Sequence, residues 1–370
     1  MPKVCHMTSV HSAEDIRIFH KECVSLVNAG YDVALIQQGS SYEKKGVHIR
    51  GIGVLSGNRL QRMLQGMKRV YEEAVNEDAD IYHFHDPELM FCGLKLKKAG
   101  KYVVFDSHEK YSMQLRRKPY LPRFASELIA VVYSIFERYA IKKFDAVIFP
   151  CTLDGVHPFD GQCKRLITLN NLPMLDEIYD KWTPTPKDGF KACYVGGIRS
   201  DRGNTENVLA CNQVNVELLL AGSISSEEYE NQLRELDAKH LTEFCGVLNR
   251  EQVVDVLKRS SVGLVTELNV GQNNVFDNLP TKTYEYMSMG LPVIISHSNY
   301  VDQLLKEKPF GIAVDPENVE EIAQAIAFLR DNPEEAKRMG EIGRRAVKEE
   351  FNWGVEEKKL FALYEDILKN

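Results

Sequence analysis

Residues Asn274 to Ile294 read NVFDNLPTKTYEYMSMGLPVI, and this stretch decides how the second half of the chain folds. A polar, Asn-rich loop comes first, and Asn278 is expected to cap a helix that has Pro280 in its first turn. Gly290 is expected to end that helix before the apolar strand LPVIIS. A loop, a helix and a buried strand in this order are typical of a parallel α/β sheet, in which the loops at the carboxyl ends of strands carry function.

The start of this helix is predicted to bind an anion. Unpaired N–H groups and the positive end of the helix dipole meet there, and Lys282 adds a mobile cation. Thr281 and Glu285 share one helix face, and helical side chains lean toward the N-terminus, so Glu285 is expected to point back toward Asp277. Carboxylates beside an anion site suit sugar hydroxyls, which indicates a nucleotide diphosphate sugar. On the alternative interpretation, Asp277 and Asn278 are ordinary capping residues and Glu285 is a solvated helix position.

The composition is that of a soluble globular protein with enough apolar residues for two cores. The chain has 370 residues, of which 44% are hydrophobic and 27% are charged. No apolar run reaches the roughly 18 residues that a membrane span needs. The N-terminal segment MPKVCHMTSV lacks a basic stretch followed by an apolar one, so we expect an unprocessed cytoplasmic protein. The eight cysteines are spaced singly, which favours free thiols over disulfides or a zinc site.

Short apolar runs alternate with amphipathic helical stretches along the whole chain, which predicts α/β domains with parallel sheets. The pattern lapses where Pro, Lys, Asp and Gly accumulate, within roughly 172 to 188. We therefore expect an N-terminal Rossmann-like domain over 1–172 and a second Rossmann-like domain over 187–353. A C-terminal helix over 354–370 is expected to pack back on the first domain.

Basic residues concentrate in the first half of the chain. Residues 1–165 contain 24 Lys and Arg against 19 Asp and Glu, although the whole chain carries a net charge of −7. The segment 110–143 has eight basic and two acidic residues around the apolar run LIAVVYSIF. Such a segment favours reversible contact with the anionic inner face of a membrane and with a lipid-linked acceptor. The alternative is an ordinary helix packed on its own domain, with surface charge distributed by chance.

The stretch from Asn274 resembles the hallmark of the retaining glycosyltransferases of family 4, which have the GT-B fold. In that family an acidic residue is followed, after seven intervening residues, by Glu and then by a small residue, Gly, any residue and Pro-Val-Ile. Here Asp277 is followed by Glu285 and then by YMSMGLPVI. The commonest family form is Glu-Gly-Phe-Gly, where this chain has Asp-Asn-Leu-Pro, and the form with Asn-Leu-Pro-Thr-Lys is similar to polysaccharide-assembly members. The resemblance implies two Rossmann-like domains that face a cleft.

Two further motifs of the second half resemble donor-binding segments of this family. YVGGIRSDRGN is similar to the family's phosphate loop, with Arg202 at the position of its Lys and Gly197 at that of its Arg, whose charge Arg199 is a candidate to replace. FCGVLNREQV is similar to the segment whose backbone contacts the edge of the nucleobase in this family. The resemblance therefore implies that the donor is bound by residues of three segments: Gly197, Arg199, Gly246, Val247, Asn278, Leu279, Thr281 and Glu285.

In the first half, TSVHSAEDIRIFHKE, YHFHDPELM and VVFDSHEKYS resemble segments of bacterial polysaccharide-assembly members. His85 and His108 each close an apolar strand, and the resemblance implies that His108 lies near the transferred sugar. From the residues alone, each histidine is more simply a satisfied strand-end residue. No ligand spacing for a metal is recognisable, and the DAD at Asp78–Asp80 precedes its strand, so we expect no metal site. The first strand leads into VHSAEDIR instead of a Gly-rich turn, which disfavours a dinucleotide dehydrogenase.

These observations predict a metal-independent retaining glycosyltransferase that moves a sugar from a nucleotide diphosphate donor to a glycan or polyprenyl-diphosphate-linked acceptor in cell-surface polysaccharide biosynthesis. No cofactor beyond the donor and no nucleic-acid partner are expected. The resemblance implies no protein nucleophile, and it assigns catalytic roles to His108, Arg202, Asp277 and Lys282. Two alternatives stay open. One is an epimerase of the same architecture that converts its nucleotide sugar without an acceptor, and the other is a catalytically silent nucleotide-sugar-binding subunit of a membrane assembly.

Overall fold

The structure is a computed structural model that describes residues 1–11, 14–116, 123–176, 178–183, 188–271 and 273–369. The chain divides into two compact units, Met1–Asn171 together with Glu356–Asn370, and Leu172–Val355. Parts of two predicted features, the basic segment over 110–143 and the junction over 172–188, lie outside the described residues. Each unit contains its own sheet, and the prediction of two α/β units with parallel sheets is confirmed.

Among the described residues of the first unit, eight strands form the sheet: β1 Lys3–Met7, β2 Asp32–Gln37, β3 Tyr42–Lys44, β4 Val47–Gly51, β5 Ile81–Phe84, β6 Tyr102–Asp106, β7 Ala146–Phe149 and β8 Leu166–Thr168. Their order is β3-β4-β2-β1-β5-β6-β7-β8, and among the strands that the structure describes here, only β3 and β4 pair in an antiparallel manner. The sequence did not predict β3, because it is three residues long and polar. Since β1 lies between β2 and β5, the strand order reverses beside β1, and the carboxyl ends of β1, β5 and β6 meet at one edge.

The first predicted helix is wound differently from the expectation. It begins as a π-helix, Ile16–Cys23, and continues as the short helix α1, Val24–Asn28. The Asp15 carboxylate caps it by accepting hydrogen bonds from the backbone N–H groups of Arg17, at 2.8 Å, and Ile18, at 3.0 Å. Such π turns are frequent at functional sites. The other helices of this unit are α2 Arg59–Glu77, α3 Met90–Lys98, α4 Tyr111–Leu115, α5 Arg123–Ile141 and most of α13 Trp353–Leu368.

Six parallel strands form the sheet of the second unit: β9 Lys191–Val195, β10 Glu217–Ala221, β11 Thr242–Gly246, β12 Val262–Val265, β13 Val293–Ser296 and β14 Gly311–Val314. Their order is β11-β10-β9-β12-β13-β14. The chain leaves β9 toward β10 and later returns to the other side of β9 with β12, so a ligand crevice is expected at the carboxyl ends of β9 and β12. The helices are α6 Asn204–Val214, α7 Glu227–Leu236, α8 Arg250–Arg259, α9 Thr281–Ser288, α10 Asn299–Glu307, α11 Val319–Asp331 and α12 Pro333–Glu349.

Helix α9 packs tightly on the middle of the second sheet. The Tyr286 ring lies against Gly263 of β12 so closely that a Cβ at that glycine would collide with it. The Tyr286 hydroxyl accepts a hydrogen bond of 2.8 Å from the backbone N–H of Val195 at the end of β9. Because α9 is anchored to both strands, the side chains of its first turn have a fixed position above the carboxyl ends of β9 and β12. Among the described helices, none is both long and apolar enough to cross a membrane.

Candidate functional site

Two cations of the second unit meet at one buried carboxylate. Glu267 is the second residue after β12 in the chain, and its side chain is 4% exposed. Its Oε1 accepts a hydrogen bond of 2.7 Å from Lys282 Nζ, in the first turn of α9, and forms an ion pair with Arg202 Nη1. Burial alone would raise the pKa of Glu267, but the charges and hydrogen bonds of Lys282 and Arg202 outweigh it and lower that pKa. The carboxylate therefore stays ionised and holds both cations at one point.

The turn after β9 brings its backbone close to these cations. The Tyr194 hydroxyl donates a hydrogen bond of 2.9 Å to the Gly197 carbonyl, which fixes the turn. Lys282 Nζ lies 3.4 Å from that hydroxyl oxygen and 4.7 Å from the centroid of the Tyr194 ring. Gly196 has a φ of 142°, a conformation that disfavours side chains. The structure therefore brings the predicted residues Gly197, Arg202 and Lys282 together, and it adds Tyr194 and Glu267.

The loops that follow β9 and β12 are locked to each other. Gly203 has a φ of 69°, and a Cβ at this position would collide with the Thr266 carbonyl, so only glycine allows this approach. The backbone N–H of Leu268 donates a hydrogen bond of 3.1 Å to the Asp201 carbonyl. Thr266 Oγ1 donates one of 2.8 Å to Asn207 Oδ1 on α6. These contacts hold the two loops together, with Arg202 on the loop after β9 and Glu267 on the loop after β12.

The start of α9 differs from the prediction. The N-cap residue is Pro280, with a ψ of 140°, and no side chain caps the helix. The expectation that Asn278 caps α9 is wrong, because a residue before proline is kept extended, which holds Leu279 out of the helix and delays its start to Thr281. Asn278 and Thr281 are exposed, whereas the side chain of Leu279 is buried in the core. A ligand at this point would therefore meet the backbone of Leu279, not its side chain.

Glu285 is held by a residue that sequence reasoning missed. Its Oε1 lies 2.8 Å from Arg250 Nη1 at the start of α8. That helix begins shortly after the turn of Gly246, which has a φ of 70°, and Val247, whose surface is 78% exposed. The only sequence signal for Arg250 was its place in FCGVLNREQV, three residues beyond Val247. The ion pair connects the turn of Gly246 and Val247, which is predicted to contact the nucleobase, with Glu285, which is predicted to accept a hydrogen bond from a sugar hydroxyl.

One predicted donor residue, Arg199, is paired within its own loop. Arg199 Nε donates a hydrogen bond of 2.8 Å to Asp201 Oδ1, and the Arg199 side chain is half exposed. The guanidinium is thus paired with its own loop and does not join Arg202 at Glu267. Asp277 is half-buried in the loop before α9.

The first unit contains a cavity of about 770 Å³ at the carboxyl ends of β1, β5 and β6. His108 lies in its wall with a side chain that is 23% exposed, and His85 lies beside it. Basic and apolar side chains of the lining include Leu55, Arg59, Arg62 and Met63, and the acidic residues Asp86, Glu88 and Glu109 also line it. The DAD triplet is elsewhere: Asp78 and Asp80 precede β5 and contact Lys101 Nζ, at 2.6 Å, and the backbone N–H of Lys3, at 2.8 Å.

A hydrogen-bond network around Asp86 shapes the cavity floor. Asp86 Oδ2 accepts hydrogen bonds from the Ser9 backbone N–H, at 2.5 Å, and from Thr8 Oγ1, at 2.9 Å. His11 Nδ1 lies 3.0 Å from Asp86 Oδ1. Burial alone would lower the pKa of His11, but the hydrogen bond and charge of Asp86 raise it. The sequence offered Asp86 only as part of YHFHDPELM.

His85 and His108 are joined beneath the cavity. His85 Nδ1 lies 3.2 Å from His108 Nε2, and Asp106 Oδ2 lies 3.4 Å from the former and 3.3 Å from the latter nitrogen. Arg17 Nη2 donates hydrogen bonds of 2.9 Å to both oxygens of Asp106. Burial is the main cause that lowers the pKa of His85 to about 4, so this ring is neutral near pH 7. The two predicted histidines thus belong to one network that includes Asp106 and Arg17.

Behind His85 lies a group of fully buried polar residues that the sequence did not single out: His6, Glu22, His83 and Tyr364. Burial lowers the pKa of His6 and of His83 well below the ordinary histidine value. His6 and His83 lie inside apolar strands, and Glu22 lies five residues from Arg17 on the π-helix. Tyr364 comes from α13, near the far end of the chain. Only the fold brings these four residues together.

Two family models match the chain. The model described as "Glycosyl transferases group 1" matches residues 176–346, and the model described as "Glycosyltransferase Family 4" matches residues 18–153. The first match includes the Glu267 cluster with Lys282 and Arg202, and the second includes His85 and His108. Together the two models account for most of both units.

Proteins named as mannosyltransferases are among the relatives in sequence. A GDP-mannose-dependent monoacylated α-(1-6)-phosphatidylinositol monomannoside mannosyltransferase of Corynebacterium glutamicum is 23% identical over 304 residues, which are 74% of this chain and 72% of that protein. An MMP α-(1->4)-mannosyltransferase of Mycolicibacterium hassiacum is 23% identical over 137 residues, which are 37% of this chain and 32% of that protein. The chain thus matches only about a third of the length of the second relative.

Solved structures share the whole fold. A sucrose-phosphate synthase from Thermosynechococcus elongatus has a TM-score of 0.77 at 16% identity, with 100% of both chains covered. The Anabaena protein HepE, solved in complex with UDP and glucose, has a TM-score of 0.69 at 10% identity, with 99% of this chain and 100% of that chain covered. At these identities the likeness establishes the fold alone.

Proposed function

We propose that this chain, which belongs to the GT-B glycosyltransferases of the family 4 type, transfers a sugar from a nucleotide diphosphate sugar to a glycan or lipid-linked acceptor with retention of anomeric configuration. The setting that we propose is the biosynthesis of cell-surface polysaccharide. One observation carries the proposal. Lys282 and Arg202 meet at the oxygen of Glu267, beside the glycine turn after β9 and the uncapped start of α9.

The Glu267 cluster supports binding of the donor diphosphate. Lys282 and Arg202 bring two positive charges to one point, whereas the single carboxylate of Glu267 supplies one negative charge. The start of α9, where Lys282 lies, has no side-chain cap. A diphosphate carries more charge than one carboxylate and accepts hydrogen bonds from several donors at once. We propose that it binds across Arg202 and Lys282, with Glu267 keeping both side chains in place.

The same cations account for the proposed chemistry. Negative charge grows on the departing diphosphate as the bond to the sugar breaks, and fixed cations that face this oxygen lower the barrier. Because the protein supplies the cations, the donor diphosphate needs no metal ion, and no cofactor beyond the donor is required. The acceptor hydroxyl attacks the anomeric carbon on the face from which the diphosphate departs, so the new glycosidic bond forms with retention and without a protein nucleophile. An oxygen of the leaving diphosphate takes the proton of that hydroxyl. His108, in the cavity of the first unit, is proposed to lie near the transferred sugar.

Glu285 and Asp277 are proposed to bind hydroxyl groups of the donor. Arg250 holds the Glu285 carboxylate at 2.8 Å, which leaves its second oxygen available for a ribose hydroxyl. The backbone at Gly246 and Val247 is proposed to contact the edge of the nucleobase. The half-buried Asp277 is proposed to contact the sugar. The name of the C. glutamicum relative specifies GDP-mannose, whereas HepE was solved with UDP, so the choice of base is a question for experiment.

An exposed apolar face on α5 supports a membrane-associated acceptor. Large apolar side chains recur on it every three or four residues and are exposed: Phe124, Leu128, Val132, Ile135 and Tyr139. Lys142 and Lys143 follow the end of the helix. An apolar stripe beside basic residues is suited to the headgroup region of an anionic membrane. We propose that the first unit rests there, on the cytoplasmic side, and takes a polyprenyl-diphosphate-linked acceptor.

A thermal-shift panel of UDP-, GDP- and dTDP-sugars tests the proposal. Ligand that binds the folded state raises its stability, so one sugar nucleotide is expected to raise the melting temperature of the wild type. The variant Lys282→Met is expected to lose that shift, whereas Lys306→Met, at an exposed lysine of α10, is expected to keep it. Absence of a shift with every sugar nucleotide would contradict the proposal.

Turnover assays then separate the alternatives. A transferase releases nucleoside diphosphate only when an acceptor is present, and Glu285→Ala is expected to reduce that release. An epimerase would form an isomeric nucleotide sugar from the donor alone. A silent subunit would bind the donor without any turnover, and the Glu285→Ala variant would still support its complex.

A further inference from the structure

Two buried polar atoms in the first unit face each other without hydrogen-bond partners among the described residues. They are Glu22 Oε2 and His83 Nε2, which are 4.0 Å apart, and both side chains are fully buried. A buried polar atom that makes no hydrogen bond loses its interaction with water and gains nothing in return. A third group located between these two atoms would interact with both and remove this energetic cost.

Two more histidine nitrogens border the same space. His6 Nδ1 lies 3.7 Å from Glu22 Oε2, His85 Nε2 lies 3.8 Å from it, and the two nitrogens are 3.1 Å apart. All four ligand atoms lie within 4.8 Å of one another. In a tetrahedral zinc site with bonds of about 2.0 Å, ligand atoms are about 3.3 Å apart. Small side-chain shifts would convert the observed group into such a site.

We propose that His6, Glu22, His83 and His85 bind one divalent transition-metal ion, of which Zn²⁺ fits best. Three imidazoles and one carboxylate are the donor atoms that zinc prefers, whereas calcium and magnesium prefer oxygen ligands. Four protein ligands close the coordination sphere, and all four side chains are buried. The ion therefore has a structural role and leaves no open position for substrate.

The outer contacts of Glu22 and His85 suit this role. Glu22 Oε1 accepts a hydrogen bond of 3.0 Å from Arg17 Nε, which leaves Oε2 directed at the proposed ion. His85 binds through Nε2, and its Nδ1 lies 3.4 Å from Asp106 Oδ2. A carboxylate behind a ligating histidine is the usual support of a zinc site, because it fixes the tautomer and the ring orientation.

The other two histidines share one outer partner on the C-terminal helix. Tyr364 Oη lies 2.7 Å from His83 Nδ1 and 3.3 Å from His6 Nε2. Both rings thus present the opposite nitrogen to the proposed ion. Binding would tie β1, β5, the π-helix and α13 to one point, and it would fix His85, whose Nδ1 contacts His108 at the cavity.

The sequence gives no spacing signal for this site because its ligands come from separate elements. Only His83 and His85 are close in the chain, and Glu22 and His6 lie on the π-helix and on β1. The ion is also independent of the donor diphosphate, which is proposed to bind in the other unit without metal. A failure of donor binding and a failure of metal binding would therefore be distinguishable.

Metal analysis of the full-length protein tests the proposal. The protein is stripped with a chelator, titrated with Zn²⁺ and, separately, with Co²⁺, and then desalted. We expect one tightly held equivalent of zinc per chain, a higher melting temperature than that of the stripped protein, and the intense visible absorption of four-coordinate cobalt. Less than a tenth of an equivalent after desalting, or only the weak absorption of six-coordinate cobalt, would overturn the proposal.

Variants locate the ion. His83→Gln and Glu22→Gln are expected to lose the bound equivalent, whereas His48→Gln, at a half-exposed histidine of β4, is expected to keep it. Tyr364→Phe removes only the outer partner and is expected to weaken zinc binding about 10- to 100-fold. Stoichiometric zinc in both ligand variants would contradict the assignment. If those variants do not fold, the cobalt spectrum of the wild type and the Tyr364→Phe affinity decide the question.

Discussion

At the residue scale, the second unit depends on the carboxylate of Glu267. It is the shared partner of Lys282 and Arg202, and all three side chains come from different segments of the chain. Two cations placed this close repel each other, so the carboxylate between them is needed to keep them there. Sequence motifs identified Arg202 and Lys282 because they resemble a phosphate loop and a helix start. Glu267 was not identified, because it is the next-to-last residue of the apolar run VGLVTEL.

The variant Glu267→Gln is expected to unfold more easily than the wild type near neutral pH, by about 2 kcal/mol for a lost charged hydrogen-bond pair. The folded-state pKa of Glu267 is lowered, so its stabilisation is present above the ordinary glutamate value of 4.5 and is lost as the pH falls through the lowered pKa. Urea unfolding at pH 7 and below pH 4 measures this. The difference should shrink at acid pH, and the exposed control Glu341→Gln should show none.

Arg250 is expected to act by positioning Glu285. Without the guanidinium at 2.8 Å, the Glu285 carboxylate loses its fixed orientation, and the variant Arg250→Ala should raise the KM for the donor about tenfold with a smaller effect on kcat. Arg259→Ala is the matched control, because this residue lies on the same helix, is equally exposed and pairs with Glu243. Equal KM values for the two variants would show that the Arg250 pair has no part in donor binding.

At the scale of elements, apolar patterning predicted the parallel strands well because buried strands need continuous apolar runs. Apolar patterning did not predict the features that depend on local backbone conformation. Proline at position 280 moved the N-cap of α9 from the predicted Asn278 to Pro280, so that the helix begins at Thr281, and the short polar β3 carried no apolar signal. The π winding of Ile16–Cys23, which places Arg17 and Glu22 inside the first unit, has no periodicity that sequence reasoning can detect.

Helix α5 is the element on which the proposed membrane contact rests. A charge placed on its apolar face should oppose insertion into the headgroup region, so Ile135→Glu is expected to reduce binding to vesicles that contain anionic lipid. Val75→Glu, at an exposed apolar position of α2, should leave binding unchanged. Co-sedimentation at low and physiological salt measures both. Wild-type protein that fails to bind anionic vesicles would rule out the membrane contact.

At the scale of the whole molecule, each unit has its candidate functional residues at the edge of the sheet where the strand order reverses. In the second unit these are Glu267 and Arg202 beside β9 and β12, and in the first unit they are His85 and Asp106 beside β1, β5 and β6. The topology of a parallel sheet predicts where such residues lie. The sequence alone identified the strands, the histidines His85 and His108, and the cations Arg202 and Lys282. The buried network of His6, Glu22, His83 and Tyr364 could not be predicted, because its members meet only after distant segments have folded together.

We propose that this chain transfers a sugar from a nucleotide diphosphate donor and that Lys282 stabilises the leaving diphosphate. The most direct measurement is proton NMR of the wild-type reaction with the donor found by thermal shift and a lipid-linked glycan acceptor, with Lys282→Met and Lys306→Met run beside it. We expect a new glycosidic bond with the anomeric configuration of the donor, formed by the wild type and Lys306→Met and nearly absent with Lys282→Met. An isomeric nucleotide sugar formed without acceptor, or equal product from Lys282→Met, would contradict the proposal.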